Sequence, residues 1–130
     1  VIVTCDDDVN YSSDFGSSLV DSCLREDCVS SHRTLYTPCF QYEMRRPVTS
    51  AKKNLEFIAT TGGGCAFRPR HVIDSTGTIF DSSKYLSLCP QADDIWFNFC
   101  RILCGTSLVS TGRFCTFGDL RHLRVSLIFC

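Results

Sequence analysis

Hydrophobic and polar residues follow two different periods along the chain, and this pattern predicts helices mixed with strands. Residues 1–5 are apolar or β-favouring, so we expect a buried strand that ends at three consecutive aspartates. Residues 12–26 repeat at helical spacing, with Ser12 or Ser13 as the N-cap. The predicted apolar face of this helix comprises Phe15, Leu19, Val20, Cys23 and Leu24.

The clearest helical pattern lies late in the chain, over residues 92–105. Asp93 and Asp94 occupy its first turn, and Gly105 provides a stop at its end. The predicted apolar face comprises Ile95, Phe99, Ile102 and Leu103. Together with the first helix, this pattern predicts an α/β layer fold.

The remaining segments predict short strands and one loop. The basic segment over residues 44–53 is expected to be a solvated loop. Three glycines in residues 61–64 lead into an extended segment. The other predicted strands cover residues 28–36, 54–60, 106–110, 113–117 and 122–130.

Length and composition narrow the class of protein. A chain of 130 residues is the size of one ordinary domain, and 44% hydrophobic residues with ten phenylalanines are enough to form a core. The formal net charge is −1, which disfavours nucleic acid and anionic membranes as the main partners. The apolar runs are far shorter than the roughly 20 residues of a membrane span. The acidic start does not resemble a signal peptide.

Cysteine is unusually frequent, with ten residues spread through apolar segments. An even count is compatible with a disulfide framework in a secreted chain. The placement within apolar segments instead favours free, buried thiols. Zinc binding is disfavoured because the sequence has no paired cysteine and histidine spacing.

Two acidic clusters are the candidate chemical groups. The first predicted strand ends in three consecutive carboxylates, Asp6, Asp7 and Asp8. Their mutual repulsion is unfavourable unless a cation lies against them. Mg²⁺ and Mn²⁺ prefer such oxygen ligands, although a solvated turn would also favour aspartates. Asp93 and Asp94 could serve as a general base, or could simply complement the dipole of the late helix.

Four motifs in one order resemble the GT-A glycosyltransferases that build bacterial polysaccharides or lipopolysaccharides. They read "TCDDDVNY", "SHR", "TGGGCAFRP" and "CPQADDIWFNFCRILCG". The resemblance covers residues 1–105, whereas residues 106–130 match poorly. It implies a single partial catalytic domain with a Rossmann-like mixed sheet flanked by helices. The N-terminal nucleotide-binding βαβ portion would be lacking, so we expect this chain alone to be inactive.

The resemblance also implies roles for particular residues. Asp6 and Asp8 would hold Mn²⁺ or Mg²⁺, with Asp6 nearer the nucleotide ribose and Asp7 between them. Asp94 would be the catalytic base, with Asp93 as the second candidate. The sugar pocket and its acceptor wall would be formed by Gly62, Gly63, Gly64 and Trp96.

The implied activity is transfer of a sugar from a nucleotide sugar to a glycan or glycolipid acceptor, with inversion at the anomeric carbon. The implied location is the cytoplasm, at the inner face of a membrane that the chain would contact only peripherally. A retaining glycosyltransferase is the alternative within the enzyme class. The alternative from another class is a disulfide-rich extracellular binding module, which counting of free thiols would distinguish.

Overall fold

The computed structural model describes residues 1–7, 9 and 11–113, and this part of the chain is a mixed α/β structure. Its three α-helices are α1 (Phe15–Glu26), α2 (Ser82–Leu88) and α3 (Asp93–Leu103). Its eight strands are β1 (Ile2–Thr4), β2 (Val29–Ser31), β3 (Thr34–Tyr36), β4 (Arg46–Pro47), β5 (Ala51–Asn54), β6 (Phe57–Ala59), β7 (Cys65–Phe67) and β8 (Leu108–Thr111).

The strands form two sheets. The larger sheet has the order β1-β7-β2-β8-β5, and the smaller has the order β4-β3-β6. In the larger sheet β2 and β8 are parallel, whereas the other neighbouring pairs are antiparallel. The predicted α/β class with a mixed sheet is therefore confirmed.

The strand β7 separates two apolar clusters. Successive side chains of a strand point to opposite faces of its sheet. Cys65 and Phe67 accordingly join a cluster that includes Phe97 of α3. Ala66 packs with Leu19 of α1 on the other face. Helices α1 and α3 thus pack on opposite faces of β7.

The first predicted helix is confirmed as α1. Its N-cap is Asp14 rather than Ser12 or Ser13, and the Ser12 hydroxyl donates a hydrogen bond to the Asp14 carboxylate at 2.7 Å. Of the predicted apolar face, Phe15, Leu19 and Cys23 are buried, whereas Leu24 is exposed.

The late helix is confirmed as α3, but its predicted buried face is wrong. Ile95, Phe99 and Leu103 are exposed, and the buried face comprises Trp96, Phe97, Asn98, Cys100 and Arg101. The polar side chains of Asn98 and Arg101 face inward because they form hydrogen bonds with backbone groups of other segments. Asn98 bonds both the N–H and the carbonyl of Ala59, at 3.0 and 2.8 Å.

Arg101 is the second inward-facing polar residue of α3, with no exposed surface. Its guanidinium donates to the carbonyls of Leu55, Phe57 and Thr106. Burial lowers its pKa to about 10. These bonds attach the end of α3 to the turn between β5 and β6.

Several extended segments differ from their predictions. Residues 1–5 were expected to be a buried strand, but β1 lies at the edge of its sheet and Ile2 is 46% exposed. The single strand predicted over residues 28–36 is divided between β2 and β3, which belong to different sheets. The predicted loop at 44–53 contains β4 and most of β5, and α2 was not predicted. The strands predicted at 113–117 and 122–130 fall almost entirely outside the described residues.

The eight described cysteines are free thiols. Cys23, Cys28, Cys65 and Cys100 are buried, as their apolar surroundings predicted. Burial raises the pKa of Cys28 and of Cys100 to about 11, which keeps both thiols protonated at neutral pH. No helix in the described part of the chain is both long and apolar enough to cross a membrane.

Candidate functional site

The glycine-rich turn between β6 and β7 is the centre of the candidate site. Residues Thr61–Gly63 form one turn of 3-10 helix that leads directly into β7. Gly62, Gly63 and the next residue, Gly64, each lie against a side chain from a different part of the chain. A Cβ atom on Gly62 would overlap the Asp6 carboxylate, and one on Gly63 would overlap the side chain of Arg33.

Gly64 is required for two reasons. Its φ angle is +97°, a conformation that residues with a Cβ atom rarely adopt. A Cβ atom there would also overlap the ring of Phe15 in α1. Residues 62–64 can therefore approach Asp6, Arg33 and Phe15 at once only because all three are glycines.

Tyr11 fixes the Asp6 backbone to this turn. The Asp6 N–H donates to the Tyr11 hydroxyl at 2.8 Å, and that hydroxyl donates to the Gly62 carbonyl at 2.8 Å. The Tyr11 ring lies 4.0 Å from the ring of Phe15, between centroids. Tyr11 ends the motif "TCDDDVNY", but the sequence alone indicates no role for it.

Asp94 attaches the N-terminus of α3 to the same turn. Its Oδ1 atom accepts hydrogen bonds from the backbone N–H and the hydroxyl of Thr61, both at 2.6 Å. Its Oδ2 atom has no hydrogen-bond partner among the described residues. The carboxylate is consequently held in one orientation with one oxygen available.

Two adjoining clefts meet at the glycine-rich turn, and we term them together the carboxylate cleft. Asp6, Thr61, Gly62 and Asp93 line both parts. The first part, of about 340 Å³, also contacts Thr4, Cys5 and Phe97. The second, of about 250 Å³, also contacts Arg33, Thr60, Gly63 and Asp94.

The structure thus brings five of the predicted site residues to one place, although the sequence separates them widely. These residues are Asp6, Gly62, Gly63, Asp93 and Asp94. Asp7 is exposed and does not line the cleft. Gly64 is buried against Phe15 instead of bordering the cleft. Asp8 lies outside the described residues.

The apolar residue of the cleft is Phe97 rather than Trp96. Trp96 is buried, stacks on Phe99 at 5.6 Å between ring centroids, and donates its indole N–H to the Ile79 carbonyl at 3.2 Å. Its contacts are those of a core residue. Phe97 packs on Phe67 and also lines the cleft beside Asp93.

His32 lies beneath the site and has a structural role in the fold. It is 1% exposed, and its Nε2 atom donates to the Phe15 carbonyl at 3.1 Å. Its Nδ1 atom is then the acceptor for the Thr111 hydroxyl, 2.6 Å away. Burial lowers the pKa of His32, so the neutral ring joins α1, β2 and β8.

The donor set is compatible with a hard divalent cation. No group of three or more histidine, cysteine or acidic side chains is placed to hold a metal within residues 1–7, 9 and 11–113. Two carboxylates, Asp6 and Asp93, line the same cleft. Mg²⁺ commonly uses one or two carboxylates together with substrate phosphates, and Asp6 and Asp93 are oxygen donors of that kind.

Comparison with known proteins gives no relative from which a function could be transferred. No protein-family model, no curated protein and no solved structure matches this chain.

Proposed function

We propose that this chain is the catalytic part of a metal-dependent glycosyltransferase with a GT-A, Rossmann-like fold. It transfers a sugar from a nucleotide sugar to a glycan or glycolipid acceptor with inversion at the anomeric carbon. The observation that carries the proposal is the meeting of Asp6 with Asp93 and Asp94 in one cleft. This reaction needs two acidic functions close together, one for the metal and one for the proton.

Asp6 and Asp8 are the proposed ligands of Mn²⁺ or Mg²⁺. When bound, the cation would neutralise the charge of the departing diphosphate. The Tyr11 hydroxyl holds the backbone of Asp6, which fixes where the chain turns towards the cleft. Gly62 leaves room for the Asp6 carboxylate, because any larger residue would overlap it.

Asp94 is the proposed general base. Thr61 holds its Oδ1 atom, so its Oδ2 atom can accept the proton from the acceptor hydroxyl. The hydroxyl oxygen forms the new bond to the anomeric carbon, while the bond to the diphosphate breaks and its electron pair leaves with the diphosphate. Asp93 lines both parts of the cleft and is the second candidate for the base.

The first test measures binding rather than turnover. Mn²⁺ is titrated into the chain by calorimetry, alone and with UDP or GDP present. We expect Mn²⁺ affinity to rise when either nucleotide supplies its diphosphate, and to be lost in Asp6→Asn and Asp8→Asn. Asp21→Asn is the matched control, because Asp21 is an exposed carboxylate on α1 away from the cleft.

The second test separates the metal ligands from the base. In an enzyme that also contains the implied nucleotide-binding portion, Asp94→Asn should keep Mn²⁺ and nucleotide affinity but lower transfer by orders of magnitude, because it removes an interaction made mainly in the transition state. Transfer undiminished by excess chelator, or Mn²⁺ binding unchanged in both aspartate variants, would contradict the proposal. A larger loss in Asp93→Asn than in Asp94→Asn would assign the base to Asp93.

A further inference from the structure

A second cleft lies between the two sheets, where the basic segment crosses from one to the other. Strand β4 pairs with β3 in the small sheet, whereas β5 pairs with β8 in the large one. The buried Val48 anchors the crossing through its N–H, which donates to the Thr34 carbonyl at 2.9 Å. The open space there, which we term the inter-sheet cleft, has a volume of about 340 Å³.

One wall of the inter-sheet cleft is a row of three cross-strand neighbours. Tyr36 pairs with Arg46 on one side and with Phe57 on the other. The guanidinium carbon of Arg46 lies 5.5 Å from the centre of the Tyr36 ring, within cation–π range. The rings of Tyr36 and Phe57 meet edge to face at 6.0 Å. This row fixes a cation beside an aromatic surface.

The other wall comes from β5. Lys52 and Asn54 are two residues apart on one strand, so their side chains share a face, and both line the cleft. Lys53 lies on the opposite face, where its ammonium donates to the Glu26 carbonyl at 2.9 Å. Of the two adjacent lysines, only Lys52 therefore lines this cleft.

The positive charge of the inter-sheet cleft is not balanced by the described residues. Those that line it include no acidic side chain. Arg46 and Lys52 form no ion pair with a carboxylate in the described part of the chain. The carboxylate of Glu56 nearby accepts a hydrogen bond from the Cys39 N–H at 3.0 Å, and its negative charge raises the pKa of Tyr36. Two cations around one concave surface attract an anion.

We infer that the inter-sheet cleft binds a small anionic ligand, with its carboxylate or phosphate group between Arg46 and Lys52. Ligand pockets range from about 300 to 1,000 Å³, so a cleft of about 340 Å³ accepts a group the size of one sugar ring. The half-buried Tyr36 offers that ring an apolar surface, and Asn54 offers it an amide. A sugar phosphate or a sugar acid has the required chemistry. The inference does not depend on the proposed transferase activity.

The test titrates four probes into the chain and follows backbone amide shifts by NMR. The probes are inorganic phosphate, glucose 1-phosphate, glucuronate and uncharged glucose. We expect the charged sugars to bind and to shift the amides of residues 46–54, and we expect their affinity to fall as salt is added. Arg46→Gln and Lys52→Gln should each weaken binding about tenfold, since each removes a charge-assisted hydrogen bond.

Lys53→Gln is the matched control, because it removes the same charge from the adjacent residue on the other face. It should leave the affinity unchanged. Tighter binding of glucose 1-phosphate than of glucuronate would identify phosphate as the recognised group, and the reverse would identify carboxylate. Equal binding of glucose, no binding of any charged probe, or an equal loss in Lys53→Gln would overturn the inference.

Discussion

The carboxylate of Asp94 holds Thr61 through two hydrogen bonds to one oxygen, each 2.6 Å long. The first turn of α3 is thereby attached to the turn that leads into β7. Asp93, the adjacent carboxylate, has no hydrogen-bond partner in the described part of the chain, and it is exposed. The two neighbouring aspartates thus differ in what they contribute to the fold.

This difference predicts opposite results for two similar substitutions. Asp94→Ala should lower the free energy of unfolding by about 1–3 kcal/mol, because two donors of Thr61 lose their acceptor. Asp93→Ala should change it by less than about 0.5 kcal/mol, as is usual for an exposed residue without such contacts. Urea unfolding of both variants checks the prediction. Equal stability of the two variants would mean that Asp94 does not anchor the turn.

The glycine-rich turn gives a second prediction. Gly64→Ala should destabilise the chain by more than about 2 kcal/mol, because its Cβ atom would overlap Phe15 and its φ angle is positive. Gly105 has a φ angle of +65°, but a Cβ atom added there would meet no other atom within 4 Å. Gly105→Ala should therefore cost only about 1 kcal/mol.

Gly16→Ala is the control for the glycine series. Gly16 lies in α1, with open space around its Cα atom, so alanine should stabilise the helix by about 0.5–1 kcal/mol. Thermal unfolding of the three variants gives the order of their stabilities directly. A Gly64→Ala variant as stable as Gly105→Ala would show that Phe15 can move away from the turn.

The sequence predicted α1 and α3 within a few residues because each carries a strong helical repeat. It did not predict which face of α3 is buried, since the pattern assigns asparagine and arginine to the solvent side. Arg101 and Asn98 are buried because the carbonyls of Leu55 and Phe57 and the backbone of Ala59 need partners, and those groups come from a distant segment. Hydrophobic periodicity contains no information about such long-range hydrogen bonds.

The candidate site, too, could be predicted from the sequence only in part. The motifs placed Asp6, Gly62 and Asp94 in one site, and all three line the carboxylate cleft. Tyr11 and Thr61 were not singled out, because hydrogen bonds across the fold, rather than neighbouring residues in the sequence, determine their roles. The basic composition of residues 44–53 predicts a solvated loop, yet the strands of this segment pair with two different sheets.

Cysteine reactivity gives a third prediction. Cys5 and Cys39 are exposed, whereas Cys23, Cys28, Cys65 and Cys100 are buried, and burial raises the pKa of each of these four. An alkylating reagent should therefore label Cys5 and Cys39 much faster than the buried four in the folded chain. Peptide mass spectrometry after timed labelling measures the difference. In denaturant all ten cysteines should react. A count of labelled cysteines near zero under those conditions would instead support the disulfide-rich binding module.

The last prediction concerns pH and the two described histidines. Burial lowers the pKa of both His32 and His71 below the ordinary value of 6.5, although Asp27 beside His71 opposes the shift. Below about pH 6.5 the unfolded chain therefore binds protons that these folded histidines do not. The free energy of unfolding should be highest above that pH and should fall as the pH decreases towards the folded pKa values.

His32→Gln should remove up to about 1.4 kcal/mol per pH unit from this dependence of the unfolding free energy on pH, which is the maximum for one proton. Because that variant loses the hydrogen bonds to Phe15 and Thr111, an NMR titration of the unmodified chain provides the decisive measurement. A His32 pKa at or above 6.5 would show that protonation of the ring does not oppose folding.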